Sequence, residues 1–367
     1  MSRRVLHVYK DCHPPVRGGV EHHIDALRRT TPGWRGDVLV GARGRRTSVR
    51  EVAGATEVRV AEFGRAFGTP VAPGFARWIG RLQPDVVHLH MPHPTGELAA
   101  LVGAGGTPLT VTYHATVVRQ RALAPVYAPL RDAVLRRAAA VIVSSPRLAE
   151  RTAALRPHDA RLHVVPFGVD LDTLRPDAAN PAQVAAYRSR FPGPIVLAVG
   201  RLVYYKGFET LIDVADRLQA SVVIAGAGPR EASLRARAAG RPNVHLLGGV
   251  DADELVALYA AADVFCLPST SAAESLGMAT LEAQAMGVPA VVTDPRTGTV
   301  DAIVPERSGL VVAPRDPDAL LAALRDLLGD PARRERFADA AREHMRDRSL
   351  AAMGAAHAAL YEDMVDP

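Results

Sequence analysis

LPSTSAAESLGMATLEAQAMGVPAVVTDP, residues 267–295, holds a pattern from which the rest of the chain can be read outward. It reads as a buried strand ending at Leu267, a polar loop through Ser269, Thr270 and Ser271, a helix over residues 276–286 stopped by Gly287, and a new strand entered through Pro289. Leu276, Met278, Ala279, Leu281, Ala283, Ala285 and Met286 make that helix apolar on nearly every face, so it belongs inside a domain. Glu282 sits in its middle. A lone carboxylate there is costly unless something hydrogen-bonds it, and two partners are open: a neighbouring arginine or the hydroxyls of a ligand. Glu274 stands eight residues earlier. At helical rise that is about 12 Å, the reach of a diphosphate with a sugar ring beginning at each end. The amides at Leu276 and Gly277, at the positive end of the helix, suit a phosphate.

Upstream, PIVLAVGRLVYYKGFETL sets Arg201 just past a strand and Lys206 just before a helix, two cations of the kind a departing diphosphate demands. Lys206 and Lys10 are the only lysines among 44 basic residues, so a lysine here is worth notice. GAGPRE follows the next strand and begins like a dinucleotide fingerprint, but its third position is Glu231, which argues against NAD. At the N-terminus a short apolar strand over residues 5–9 leads through Gly18 and Gly19 into a helix near Val20, the strand, glycine turn and helix of a doubly wound sheet. Further apolar runs at residues 38–40, 58–60, 86–89, 109–112, 141–143 and 162–165 alternate with helical stretches and predict a parallel sheet covered on both faces. His88, His90 and His93 cluster in VVHLHMPHP, and His114 stands just past its strand in TVTYHATVV. No clustered Asp, Glu or Cys accompanies them, so no metal site is expected.

The E-x7-E pattern ESLGMATLE, the GRLVYYKG segment and the GG turn resemble the signatures of glycosyltransferase family 4, and the likeness covers nearly the whole chain. The resemblance implies an α/β GT-B fold: two Rossmann-like domains facing across a cleft, with the C-terminal helix crossing back to the first. The expected division is residues 1–168 for the acceptor, 169–348 for a nucleotide sugar, and 349–367 for the returning helix. It implies a metal-independent retaining hexosyltransferase that uses a UDP- or GDP-sugar as donor and no cofactor. His114 and Glu274 carry the catalytic roles, His114 near the transferred sugar and Glu274 on its hydroxyls. Gly18, Gly19, Arg201, Lys206, Leu276 and Gly277 hold the diphosphate, and Glu282, Gly249 and Val250 the nucleoside. No first-domain carboxylate stands out as a nucleophile, which favours departure and attack on one face. Beyond Pro295 the chain has TGT where the commonest family pattern has a glycine pair and an acid. An epimerase or hydrolase of the same fold, and a non-catalytic nucleotide-sugar binding protein, are the alternatives.

Composition sets the outer limits. A chain of 367 residues, 48% hydrophobic and 23% charged, fits two globular domains. No window of eighteen apolar residues exists and the first strand begins almost at once, so neither a membrane span nor a signal peptide is expected, and the predicted location is cytoplasmic. Cys12 and Cys266 lack disulfide or zinc spacing. Residues 1–168 carry 24 basic against 12 acidic groups (+12), and residues 169–367 carry 20 against 27 (−7). Within the basic half, Arg119, Arg121, Arg131, Arg136 and Arg137 lie among apolar residues, with Pro129 read as the start of a helix. That pattern suits peripheral contact with anionic membrane or with a lipid-linked acceptor. A glycan or small-molecule acceptor fits equally, and nucleic acid is not expected.

Overall fold

The computed structural model describes residues 3–16, 18–66, 68–114 and 124–366. The chain divides into two compact units, Met1–Gly168 with Leu350–Pro367, and Val169–Ser349.

In the first unit the elements run β1 (Arg3–Val8), α1 (Gly19–Thr30), β2 (Trp34–Gly41), β3 (Ser48–Val52), β4 (Ala55–Val60), a two-residue hairpin β5 (Arg65–Ala66) and β6 (Thr69–Pro70), α2 (Phe75–Leu82), β7 (Val86–Met91), α3 (Pro94–Gly103), β8 (Leu109–Tyr113), α4 (Ala124–Arg137), β9 (Ala140–Val143), α5 (Pro146–Arg151) and β10 (Leu162–Val164). Eight strands form one sheet in the order β10-β9-β8-β7-β1-β2-β4-β3, parallel except for the pairing of β3 with β4. Alternation along β1 shows why both faces must be covered. Leu6 and Val8 join Phe75, Ile79, Ala99 and Leu135 in one core, while Val5 and Tyr9 pack on the opposite face. Helix α1 supplies Ile24 and Leu27 to that second face, and the last helix of the chain supplies Met353 and Tyr361.

The second unit runs α6 (Pro181–Arg190), β11 (Ile195–Val199), α7 (Phe208–Val214), β12 (Ser221–Ala225), α8 (Glu231–Ala238), β13 (Val244–Gly248), α9 (Ala252–Ala261), β14 (Val264–Leu267), α10 (Met278–Ala285), β15 (Ala290–Thr293), β16 (Gly309–Val312), α11 (Pro317–Gly329) and α12 (Pro331–Met345). Its six strands are all parallel in the order β13-β12-β11-β14-β15-β16. Short polar side chains start its helices as elementary capping requires. Asn180, Asp316 and Asp330 each accept a backbone N–H, and Asp251 with Glu254 forms a reciprocal capping box. Helix α13 (Leu350–Val365) belongs to the first unit and packs on α1 and β7.

Three expectations change. The helix read over residues 276–286 is shorter, Met278–Ala285, because Gly277 takes a left-handed φ of 85° that no helix continues through. Helix α4 begins at Ala124 and carries Pro129 inside it, where its missing N–H falls within the second turn. The first unit also buries carboxylates that sequence did not flag: Asp11, Glu21, Asp37, Glu57, Glu62 and Glu97.

Candidate functional site

In the second unit, the carboxyl ends of β11 and β14 bring together residues 68 positions apart. Gly207 caps α7 with φ 68°, and a Cβ there would stand 2.0 Å from the Pro268 carbonyl oxygen, so only glycine lets the loop after β14 cross the start of α7. The crossing is stitched by Thr270 N donating to the Tyr205 carbonyl at 2.7 Å. It sets Lys206 Nζ 2.7 Å from Glu274 Oε2, with both side chains about nine-tenths buried (10% and 9% exposed). Ser269 Oγ donates to the same oxygen at 2.9 Å. The result is a buried cation and a buried carboxylate in fixed orientation. Arg201, in contrast, is exposed, and no ion pair holds its side chain among the described residues.

The helix terminus beside this pair differs from the sequence reading. Leu276 is fully buried in the preceding loop, and Gly277 is the capping residue, so the free amides at the positive end begin with Met278. Glu274 also lies outside the helix, and the helical-rise distance from Glu274 to Glu282 does not apply. Glu282 is not alone: Tyr259, on α9, donates its hydroxyl to Oε2 at 2.7 Å. Burial raises the Glu282 pKa, opposed by that hydrogen bond and by the charge of Lys206. Gly249 and Val250 follow β13, the glycine exposed and the valine half-buried. The glycines of GAGPRE have a packing cause. Added Cβ atoms would meet the Gly200 oxygen at 1.9 Å from Gly226 and the Leu202 oxygen at 2.5 Å from Gly228.

The first unit gathers imidazoles. His7 on β1, His88 and His90 on β7, His114 after β8, His23 on α1 and His357 on α13 meet beneath α1 and α13, all nearly or fully buried. His7 Nδ1 lies 3.1 Å from His90 Nε2, and His90 Nδ1 lies 3.0 Å from His114 Nε2. His88 bonds elsewhere, Nδ1 to the Tyr361 hydroxyl at 2.5 Å and Nε2 to Thr112 Oγ1 at 2.7 Å. Burial, then the charges of Lys10 and His357, push His114 down to about 3, while burial with Arg28 and His357 does the same to His7. All are neutral near pH 7. Two triads, His7/His88/His90 and His23/His90/His114, keep ligand nitrogens within 4.8 Å of one another, close enough to hold a metal ion.

The buried carboxylates nearby are engaged. Asp11 accepts from Arg65 at 2.8 Å and Arg43 at 3.0 Å, and Glu97 accepts from the Tyr127 hydroxyl and the His93 amide at 2.7 Å each. Burial lifts Glu97 to about 7. Gly18 caps α1, Gly19 begins it, and the Glu21 carboxylate folds back against Gly18. Of the five arginines near α4, Arg119 and Arg121 lie outside the described residues. Arg131 pairs with Asp132, Arg137 donates to the carbonyls of Gly105 and Thr107, and Arg136 is exposed.

This geometry can be set beside known proteins. The family profile described as Glycosyl transferases group 1 matches residues 182–344, and that described as Glycosyltransferase Family 4 matches residues 17–173. D-rhamnosyltransferase WbpZ of Pseudomonas aeruginosa is 31% identical over 342 residues, covering 90% of this chain and 88% of its own. The chain belongs to glycosyltransferase family 4, group 1. The O-antigen chain mannosyltransferase C of Escherichia coli is 27% identical across 94% of both chains. A GDP-mannose-dependent alpha-(1-6)-phosphatidylinositol monomannoside mannosyltransferase of Mycolicibacterium smegmatis is 30% identical over 87% of this chain and 88% of that one. Among solved structures, sucrose-phosphate synthase of Thermosynechococcus elongatus superposes with TM-score 0.80 at 22% identity over 99% of both chains. Anabaena HepE in complex with UDP superposes with TM-score 0.77 at 18% identity over 98% and 100%. The fold is GT-B, and this family 4 chain is a nucleotide-sugar glycosyltransferase. Group 1 enzymes are generally retaining and metal-independent. No helix among the described residues is long and apolar enough to cross a membrane.

Sequence reasoning missed Tyr259, Ser269, His7, His23 and Glu97. The two histidines of β7 carried a signal, since residues two apart on a strand share a face.

Proposed function

We propose that this glycosyltransferase moves a sugar of the D-manno series, D-mannose or a deoxy sugar of that configuration, from a GDP-linked donor to a hydroxyl of a glycan, free or lipid-borne. The sugar and nucleotide follow from relatives named for D-rhamnose, mannose and GDP-mannose. The observation that carries the donor site is the buried Lys206–Glu274 pair beside the N-terminus of α10. The C1–oxygen bond breaks and its electron pair stays on the diphosphate. Lys206, Arg201 and the amides beginning at Met278 take up that charge. The acceptor hydroxyl bonds to C1 on the same face, and its proton passes to the departing diphosphate oxygen, so configuration is retained. Glu274, held by Lys206 and Ser269, orients sugar hydroxyls; the Glu282 oxygen not taken by Tyr259 receives the ribose; the backbone at Gly249 and Val250 meets the base; His114 touches the transferred sugar.

These protein groups supply the positive charge other transferases draw from a metal, and no cofactor is called for, so activity persists in EDTA. A cytoplasmic location, with Arg136 and the exposed Leu98, Val102 and Val126 meeting an anionic bilayer, completes the reading. The test is a panel of GDP- and UDP-sugars with and without glycan acceptors. GDP released only with acceptor, and an anomeric centre unchanged in the product, are expected. Nucleotide release without acceptor would favour the hydrolase alternative, and turnover with UDP-glucose alone would overturn the donor.

A further inference from the structure

Three imidazoles of the first unit come together from three different elements in the arrangement of a ligand set. His23 is on α1, His90 on β7 and His114 just after β8, and one nitrogen from each lies within 4.8 Å of the other two. His90 Nδ1 and His114 Nε2 already stand 3.0 Å apart. Around a tetrahedral Zn2+ with bonds of about 2.0 Å, neighbouring nitrogens are about 3.4 Å apart, so that pair opens slightly and His23 closes in. Burial keeps all three rings neutral near pH 7, which leaves each a lone pair to give.

His23 marks this triad out from the other. Its Nε2 is buried and makes no hydrogen bond among the described residues, so taking an ion costs it no partner. In His7/His88/His90, by contrast, His88 spends both nitrogens on Tyr361 and Thr112 and would have to give one up. A ligand histidine is usually held through its other nitrogen, and His90 has that support: with Nδ1 on the ion, its Nε2–H donates to His7 Nδ1 at 3.1 Å. His7 then keeps its own proton on Nε2 without a partner among the described residues, one unmet donor against three ligand bonds. Phe167 packs against His23 with ring centroids 4.4 Å apart and holds the ring in place.

We propose that His23, His90 and His114 bind one Zn2+, and that the ion clasps α1 to β7 and to the end of β8. Three neutral nitrogens without a carboxylate favour zinc over magnesium or calcium, which take oxygen ligands. A fourth position stays open to water. The inference goes beyond the transferase reading: the ion supplies stability to the first unit, and turnover in EDTA is expected with or without it.

Calorimetric titration of ZnCl2 into the full chain, stripped with EDTA and dialysed, should show one ion bound per chain, and zinc-edge X-ray absorption should show three imidazole nitrogens at about 2.0 Å. Zn2+ at about a hundredfold excess over its Kd should raise the unfolding midpoint of the first unit and leave that of the second in place. His23→Phe, whose ring can replace the imidazole against Phe167, should lower Zn2+ affinity at least about a hundredfold and abolish that stabilisation while circular dichroism stays native. If that variant does not fold, the absorption spectrum of the native chain carries the test by itself. His22→Ala removes an exposed ring that stacks on His13 at 4.1 Å, the competing surface site, and should leave the affinity unchanged. No saturable Zn2+ binding, fewer than three imidazoles on the bound zinc, affinity kept in a folded His23→Phe, or affinity lost in His22→Ala overturns the proposal.

Discussion

The two units put the same architecture to opposite electrostatic use. In the second, the strand ends present a formal ion pair, Lys206 with Glu274, fixed by a glycine crossing and a serine hydroxyl. In the first, the sheet buries neutral imidazoles linked to one another, and Asp11 and Glu97 are already taken by Arg43, Arg65 and Tyr127. Of 13 histidines in the chain only His245 and His344 fall in the second unit, leaving 11 in the first. A site that must neutralise a diphosphate keeps its charges; one that must pack beneath two helices keeps its polar groups uncharged.

Acid should break that comparison most strongly. His7, His93 and His114 are held down to about 3 and His357 to about 4 by burial, and His23, His88 and His90 are also lowered. For such groups the unfolded chain binds more protons, so stability is fully present above about pH 6.5 and is lost as pH falls toward the folded values. Each contributes about 1.4 kcal/mol per pH unit within that window. Glu97, raised to about 7, works the other way, its contribution present below the unfolded value and lost as pH rises through 7. With His158 lowered as well, eight groups against one leave a net loss. Denaturant unfolding at pH 5.5 should show the first unit weaker by several kcal/mol than at pH 7.5, with the second, whose two histidines His245 and His344 are also lowered, losing less. Equal losses in both units would refute the assignment.

A smaller effect sharpens the other side. Gly207→Ala must push against the Pro268 carbonyl at a left-handed φ, and should destabilise the second unit by about 2 to 4 kcal/mol, read by its own unfolding transition. Below that comes Glu282→Gln, which spoils hydrogen bonds to a charged group. GDP affinity should drop by about 1 to 3 kcal/mol in a folded variant; unchanged affinity in calorimetry would leave Glu282 as a partner of Tyr259 alone. The smallest effect belongs to Arg136, whose exposed charge would add about 1 kcal/mol to contact with an anionic vesicle. Sedimentation of Arg136→Ala with anionic vesicles at 50 mM salt should fall slightly below that of the native chain, and equal recovery would argue for a soluble acceptor.

The alternation of apolar runs and helical stretches placed both sheets, because strands buried on two faces need continuous Val and Leu. That Lys206 stands just before a helix and Glu274 in the loop before the next one was also legible. What sequence did not carry were partnerships made by folding. Tyr259 reaches Glu282 across 23 residues, and Lys206 reaches Glu274 across 68, distances at which no periodicity speaks. The start of α10 was misplaced because Gly277 was read as a residue that admits an anion, when its backbone conformation ends the loop. His88 and His90 share a strand face by simple alternation, but that His7 lies on the neighbouring strand required the β1–β7 pairing.

In the proposed function Lys206 grips the donor's diphosphate. Calorimetric titration of GDP and of guanosine into the native chain and into Lys206→Met tests it most directly. GDP affinity should fall at least about a hundredfold, on the order of 3 kcal/mol, while guanosine binds both proteins alike. GDP binding both proteins equally, or guanosine losing as much as GDP, would contradict it.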